Sequence, residues 1–301
     1  MQVSTRTFFR QQSENVQQLK AEILEKQDQI STGKQLSVPS QDPVSFSNLA
    51  MLKARGARIS QYETNIASIR QRLALEDSTM SQVNAILTRV RELAVQGSND
   101  TLSSADRRTI GLEITTLSDM LVGLANTTDV DNKPLFSGAK VDRLPFERNA
   151  DGKVIYYGDS TKIEQSISDS SAITINSTGD DVFLKVETAD GTRKSLFDIV
   201  DNVATILKKG DSPSSKIGDV VATLDHVTGS QTITGSRMSS VDYEYNHLMV
   251  DKLTTKSRIS TLEDTDIEAA VTKLKQQMTS LEAAQSAFVR ITDLSLFNYL
   301  K

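Results

Sequence analysis

The stretch "LKARGARISQYETNIASIRQRLALEDSTMSQVNAILTRV", residues 52–90, decides the fold. Within it Leu52, Ile59, Ile66, Leu73, Met80 and Leu87 fall seven apart. Tyr62, Ile69, Val83 and Val90 take the second seam position, and Glu76 is the one break. An apolar repeat of 3.5 residues kept for so many turns specifies a long helix packed in a coiled-coil manner. One helix over 44–96 would run roughly 78 Å at 1.5 Å per residue, so the expected architecture is a rod.

Three further segments share the period. Over 104–126, Ile110, Leu117 and Leu124 recur with Ile114 and Leu121 between them, after the polar break "GSNDTLSS" (97–104), whose Ser and Asp residues suit a turn and an N-cap. This predicts a helical hairpin. Over 214–258, Ile217, Leu224, Met238 and Tyr245 form one seam, and Val220, Val227, Val241 and Leu248 the other. That pattern fades at "TGSQTITG" (228–235), where two glycines each cost about 1 kcal/mol relative to alanine, so continuity is left open there.

The two ends of the chain form a pair. Phe9, Val16, Ile23 and Ile30 are seven apart, with Leu19 at a second position, and the run stops at Gly33. Ile267, Leu274, Leu281 and Phe288 are also seven apart, with Val271 and Met278 between them. Each is a single stripe in need of a partner. The last residues, "DLSLFNYLK" (293–301), add Leu294, Leu296, Phe297, Tyr299 and Leu300. Ordering seven residues costs about 10 kcal/mol, and burying five large apolar side chains returns about 7–15 kcal/mol. Such a tail is expected to be loose in the monomer and fixed where other chains bury it.

The middle changes period. Across 139–194 short β-prone runs alternate with turn signals, Asp151-Gly152 and Asp190-Gly191 among them, which predicts a small β-rich insert. Ser195 reads as the N-cap of a helix ending at Lys209 before Gly210. The fold class is mainly α with that insert. The expected domains are 1–40 with 262–301 as a terminal helical assembly domain, 41–138 with 195–261 as a helical rod, and 139–194 as a β-rich domain.

Composition narrows the chemistry. The chain lacks cysteine, which removes disulfides, thiolate metal sites and cysteine nucleophiles together. No apolar run reaches the ~20 residues of a membrane span, and no cleavable signal peptide is readable at the start. The net charge of −5 sits mostly in 139–230, with 15 acidic against 11 basic residues, so nucleic acid is not an expected partner. His226 and His247 are 21 residues apart, too far to share a site on one helix. The acidic runs 129–132 and 263–266 lack the glycine and terminal glutamate of a calcium loop; the first reads as a turn, the second as a helix start. No catalytic, cofactor-binding or metal-binding residue is expected. The candidate functional residues are interface residues: Phe9, Val16, Leu19, Ile23, Ile30, Leu274, Leu281, Phe288, Leu294, Leu296, Phe297 and Leu300.

Residues 88–127, "TRVRELAVQGSNDTLSSADRRTIGLEITTLSDMLVGLANT", resemble the first helical hairpin of bacterial flagellin-type axial proteins. "ISTGKQLSVPSQDPVSFSNL" (30–49), "PLFSG" (134–138) and "FVRITDLSLFNYL" (288–300) are similar to signatures of the hook-associated protein 3 branch, the hook–filament junction proteins. One departure is Gln41, where that branch often carries aspartate. The resemblance implies a structural adaptor, exported through the flagellar type III apparatus without a cleaved signal and located on the extracellular flagellum, with its 139–194 domain facing outward. It also implies self-association in a ring, with the other junction protein (hook-associated protein 1), flagellin and an export chaperone as partners. Two alternatives stand beside it. One is a flagellin of the filament. The other is a surface binding module that uses the insert, with Phe146, Tyr156 and Tyr157 as its aromatic handle.

Overall fold

The computed structural model of the chain describes residues 2–297. Six helices and six short strands follow in order. Helix α1 is Gln2–Thr32, α2 Pro43–Gly97 and α3 Ser104–Ala125. Strands β1 (Phe146–Arg148), β2 (Val154–Tyr156), β3 (Glu164–Ser166), β4 (Ala172–Thr174), β5 (Val186–Glu187) and β6 (Arg193–Lys194) come next. Helices α4 (Leu196–Lys209), α5 (Ile217–Glu263) and α6 (Ile267–Phe297) complete the described chain. The strands pair as three antiparallel hairpins, β1–β2, β3–β4 and β5–β6.

Local signals place most boundaries. Asp42 caps α2 by accepting the Val44 and Ser45 N–H groups, both at 3.0 Å, and Pro43 follows as the first helical residue, where its missing N–H costs nothing. Ser103 and Asp106 form a reciprocal capping box on α3. Ser195 caps α4, and Gly210 closes it in the left-handed conformation. Neither Gly56 in α2 nor Gly229 and Gly235 in α5 interrupts its helix.

The molecule packs as two compact units, residues up to Arg58 with those from Val250 onward, and residues Ile59–Met249. The second unit holds a continuous core in which Met80, Val83, Leu87, Val90 and Leu93 of α2 meet α3, α4 and the start of α5. Gly111 allows α3 to approach α4 closely, since a Cβ there would lie 2.9 Å from the Lys208 backbone nitrogen and 3.0 Å from the Ala204 carbonyl oxygen. A smaller cluster joins Ile59, Ile66, Ile69 and Leu73 of α2 to Val241 and Leu248 of α5, with Ile167 beside them.

The 139–194 segment does not close a core of its own. Phe146 and Phe183 are fully buried in the helical core, where the Phe183 ring lies 5.1 Å from Phe136, 5.3 Å from Phe146 and 5.8 Å from Phe197. Arg148 then staples β1 to two helices. It donates to Asp119 on α3 at 3.0 Å, to Asp201 on α4 at 2.8 Å, and to the buried Ser118 hydroxyl at 2.7 Å.

The break at Glu76 and the fade near 228–235 turn out to be one feature. Glu76 is fully buried, its Oε1 accepts the Thr234 hydroxyl at 2.8 Å, and its Oε2 has no partner. One turn away Gln231 donates to Asp77 at 3.0 Å and accepts from Asn84 at 2.9 Å. Both seams thus turn polar in the same layer. A half-satisfied buried carboxyl costs stability, whereas an apolar pair of similar shape does not. The double variant Glu76→Leu with Thr234→Val is therefore expected to stabilise the second unit by about 1–3 kcal/mol. Thermal unfolding checks this, and a melting point below that of the parent would refute it.

Candidate assembly interface

The sequence stripes at the two ends pack against each other in the first unit. Phe9 and Phe288 meet edge to face with ring centroids 5.6 Å apart and planes at 85°, a favoured aromatic geometry. Farther along, Gln277 donates to Glu22 at 2.8 Å. Ile23 is buried, while Phe9, Val16, Leu19, Ile30, Leu274, Leu281 and Phe288 are half-buried. Leu294, Leu296 and Phe297 fall in the final turns of α6, where side chains lie outside the described set, and Leu300 lies outside the described residues.

The C-terminal stripe differs from its expected pattern at the second seam position. Val271 and Met278 face away from the seam, each 46% exposed, and Ile267, at the first seam position but in the opening turn of α6, is 44% exposed. The face turned inward carries Ala270, Leu274, Gln277, Leu281, Ala284 and Phe288. A seven-residue repeat accepts a second seam position at either i+3 or i+4. On α6 the i+3 choice wins, although it brings in alanines and a glutamine. Those residues look like gaps in a hydrophobic pattern, which is why periodicity passes over them.

Large apolar side chains are exposed on both units, and more densely on the first, the smaller one. Besides the three just named, Val44, Met51, Val250, Leu253 and Val289 are each more than half exposed. Met51 borders a cleft of about 590 Å³ together with Leu52, Leu262 and three arginines, Arg55, Arg58 and Arg258. Arg55 is held by Asp251 through two contacts of 2.9 Å.

The loop between α1 and α2 is tied down by polar groups. Gln41 takes over the turn expected of an aspartate: its Oε1 accepts the Ser37 N–H at 3.1 Å and its amide donates to Glu25 at 3.2 Å. Gly33, at φ +70°, ends α1 in the left-handed region. The acidic run 263–266 is spent on structure, with Asp266 accepting the Ala269 N–H at 3.0 Å at the start of α6. In the other acidic run Asp129 pairs with Arg72 at 3.1 Å and accepts the Asp131 and Lys133 N–H groups.

The aromatic handle of the insert is also occupied. Phe146 is buried, and the Tyr156 hydroxyl lies 2.9 Å from the Phe136 carbonyl and 2.8 Å from that of Asp159, with burial pushing its pKa up to about 12. The Arg143 guanidinium covers the Tyr157 ring at 3.4 Å. Among the described residues no helix is long and apolar enough to cross a membrane.

Residues 3–141 match the family model of the bacterial flagellin N-terminal helical region, and residues 216–300 match that of the C-terminal helical region. Over an alignment of 321 residues spanning 100% of both chains, the sequence is 30% identical to flagellar hook-associated protein 3 of Escherichia coli K12. The chain belongs to the flagellar hook-associated protein 3 family. A relative of the same description from Salmonella typhimurium LT2 is 26% identical over 99% of each chain. Hook-associated protein 3 of Legionella pneumophila has the same fold, with a TM-score of 0.67 at 18% identity over 71% of this chain and 98% of that one. Family membership makes this chain a structural component of the flagellum, and the paired terminal helices fall within the two matched helical regions.

Proposed function

We propose that this chain is the adaptor subunit at the junction between hook and filament, assembling through its terminal helices. The observation that carries the reading is the exposed apolar surface of the first unit on a chain that aligns end to end with hook-associated protein 3. In this reading the subunits form a ring. One rim meets the other junction protein, hook-associated protein 1, and the opposite rim meets flagellin. The terminal segments 1–40 and 262–301 are the assembly domain, the 139–194 segment faces outward, and the subunit leaves the cell through the flagellar type III apparatus with the help of a chaperone.

Complementation tests this. In a strain lacking its own junction protein, the full chain is expected to restore filaments on hooks. Deleting 293–301 is expected to abolish incorporation while leaving the helical content of 44–130 intact. Normal filaments from the truncated chain would overturn the role given to the tail, and unlimited self-polymerisation of the full chain would make it a flagellin.

A further inference from the structure

The connections from α1 and to α6 pass through one small joint. Gln35 N–H donates to the Glu263 carbonyl at 2.8 Å, Thr265 N–H donates to the Gly33 carbonyl at 2.9 Å, and Lys34 pairs with Asp264 in an isolated antiparallel bridge. The Gln35 side-chain amide reaches the Thr261 and Leu262 carbonyls at 3.2 and 3.1 Å, covering acceptors that the end of α5 leaves open. At the centre stands the Glu263 carboxylate, its side chain only 9% exposed. The ammonium groups of Lys34, from the loop, and Lys53, from α2, converge on the same Oε1 at 2.7 and 2.8 Å. Asp264, the next acid, is turned aside to the Ser260 hydroxyl.

The helices leaving this joint have little to hold them otherwise. Among the described residues of α1 only Ile23 and Gln29 are buried, and of α6 only Ala270. Two helices that share so thin a seam sit at the low end of local stability, and what fixes their ends decides whether they pair.

We propose that Glu263, clamped by Lys34 and Lys53, is the ionic latch of this joint, and that it holds α1 and α6 paired as one cooperative segment. Only the carboxylate is shielded, Lys34 and Lys53 being 51% and 48% exposed, so removing the Glu263 charge frees both lysines to solvent and releases the loop and α2 from the end of α5 together. Both connections share the latch, so both helices loosen together. The two lysines pull the Glu263 carboxyl below the usual carboxylate range, and Glu263 in turn raises Lys34, in keeping with a formed ion cluster. This inference concerns the isolated subunit and stands apart from the proposed place in the flagellum.

Amide hydrogen exchange on the full chain reads it out. Glu263→Gln keeps the size of the side chain and removes its charge. It is expected to speed exchange at least tenfold in both 2–32 and 267–297 while 59–249 keeps its protection. Lys53→Met, which leaves Lys34 in place, is expected to give a smaller effect, and the pair Lys34→Met with Lys53→Met to reproduce Glu263→Gln. Unchanged protection of the terminal helices in Glu263→Gln overturns the latch. So does loosening of only one helix, equal loosening of 59–249, or an absence of protection in the parent itself.

Discussion

Replacing Leu281 and Phe288 together by aspartate is expected to cut incorporation into flagella by about 100-fold, the equivalent of about 3 kcal/mol. Both side chains lie on the inward face of α6, and Phe288 meets the Phe9 ring. A carboxylate placed there either stays in water and parts the helices or is buried without a counter-charge, which costs several kcal/mol. The lesion is confined to the first unit. Melting of 59–249 is expected to match the parent, so a loss of assembly with that unit intact assigns the defect to the terminal helices. Junction protein counted in purified flagella from a complemented strain checks the result, and parent-like counts would remove these helices from the assembly surface.

The second large effect belongs to the core. Phe183→Ala is expected to destabilise the second unit by about 3–5 kcal/mol, because three neighbouring rings lose their shared contact and a cavity remains. For a unit of this size that is a fall of about 10 °C in melting temperature. A fall of under 3 °C would mean that the core collapses onto the vacancy. The effect also tests whether the 139–194 segment belongs to the helical core, since an independent insert would melt separately and leave the main transition in place.

Much of this protein is written in its sequence. The spacing from Leu52 to Leu87 determines α2, since no other regular structure keeps a 3.5-residue apolar period over that length. Ser103, Ser195, Gly210 and the two Asp-Gly turns mark element ends through local chemistry that needs no distant partner. The pairing of the terminal stripes is legible for the same reason, since each carries half of a seam. The quoted signatures at 30–49, 134–138 and 288–300 point to the family before any coordinate is known.

Tertiary structure decided what periodicity leaves open. A heptad stripe allows its second position on either side, and only the neighbouring helix selected Ala270, Gln277 and Ala284 over Val271 and Met278. Glu76 and the 228–235 segment look like two separate defects until α5 folds back on α2 and places Thr234, 158 residues along the chain, against the carboxyl. The insert reads as a domain of its own because its strands are short and its turns polar, yet it packs with the helices through Phe146 and Phe183, whose burial depends on contacts with residues far away in the chain. Lys34, Lys53 and Glu263 lie on three different segments, so no local pattern joins them. Local propensity and spacing fix the elements of this protein, whereas the choice among equally spaced faces, and any cluster of charges drawn from separate elements, is settled by the energy of contacts that form only when the chain is folded.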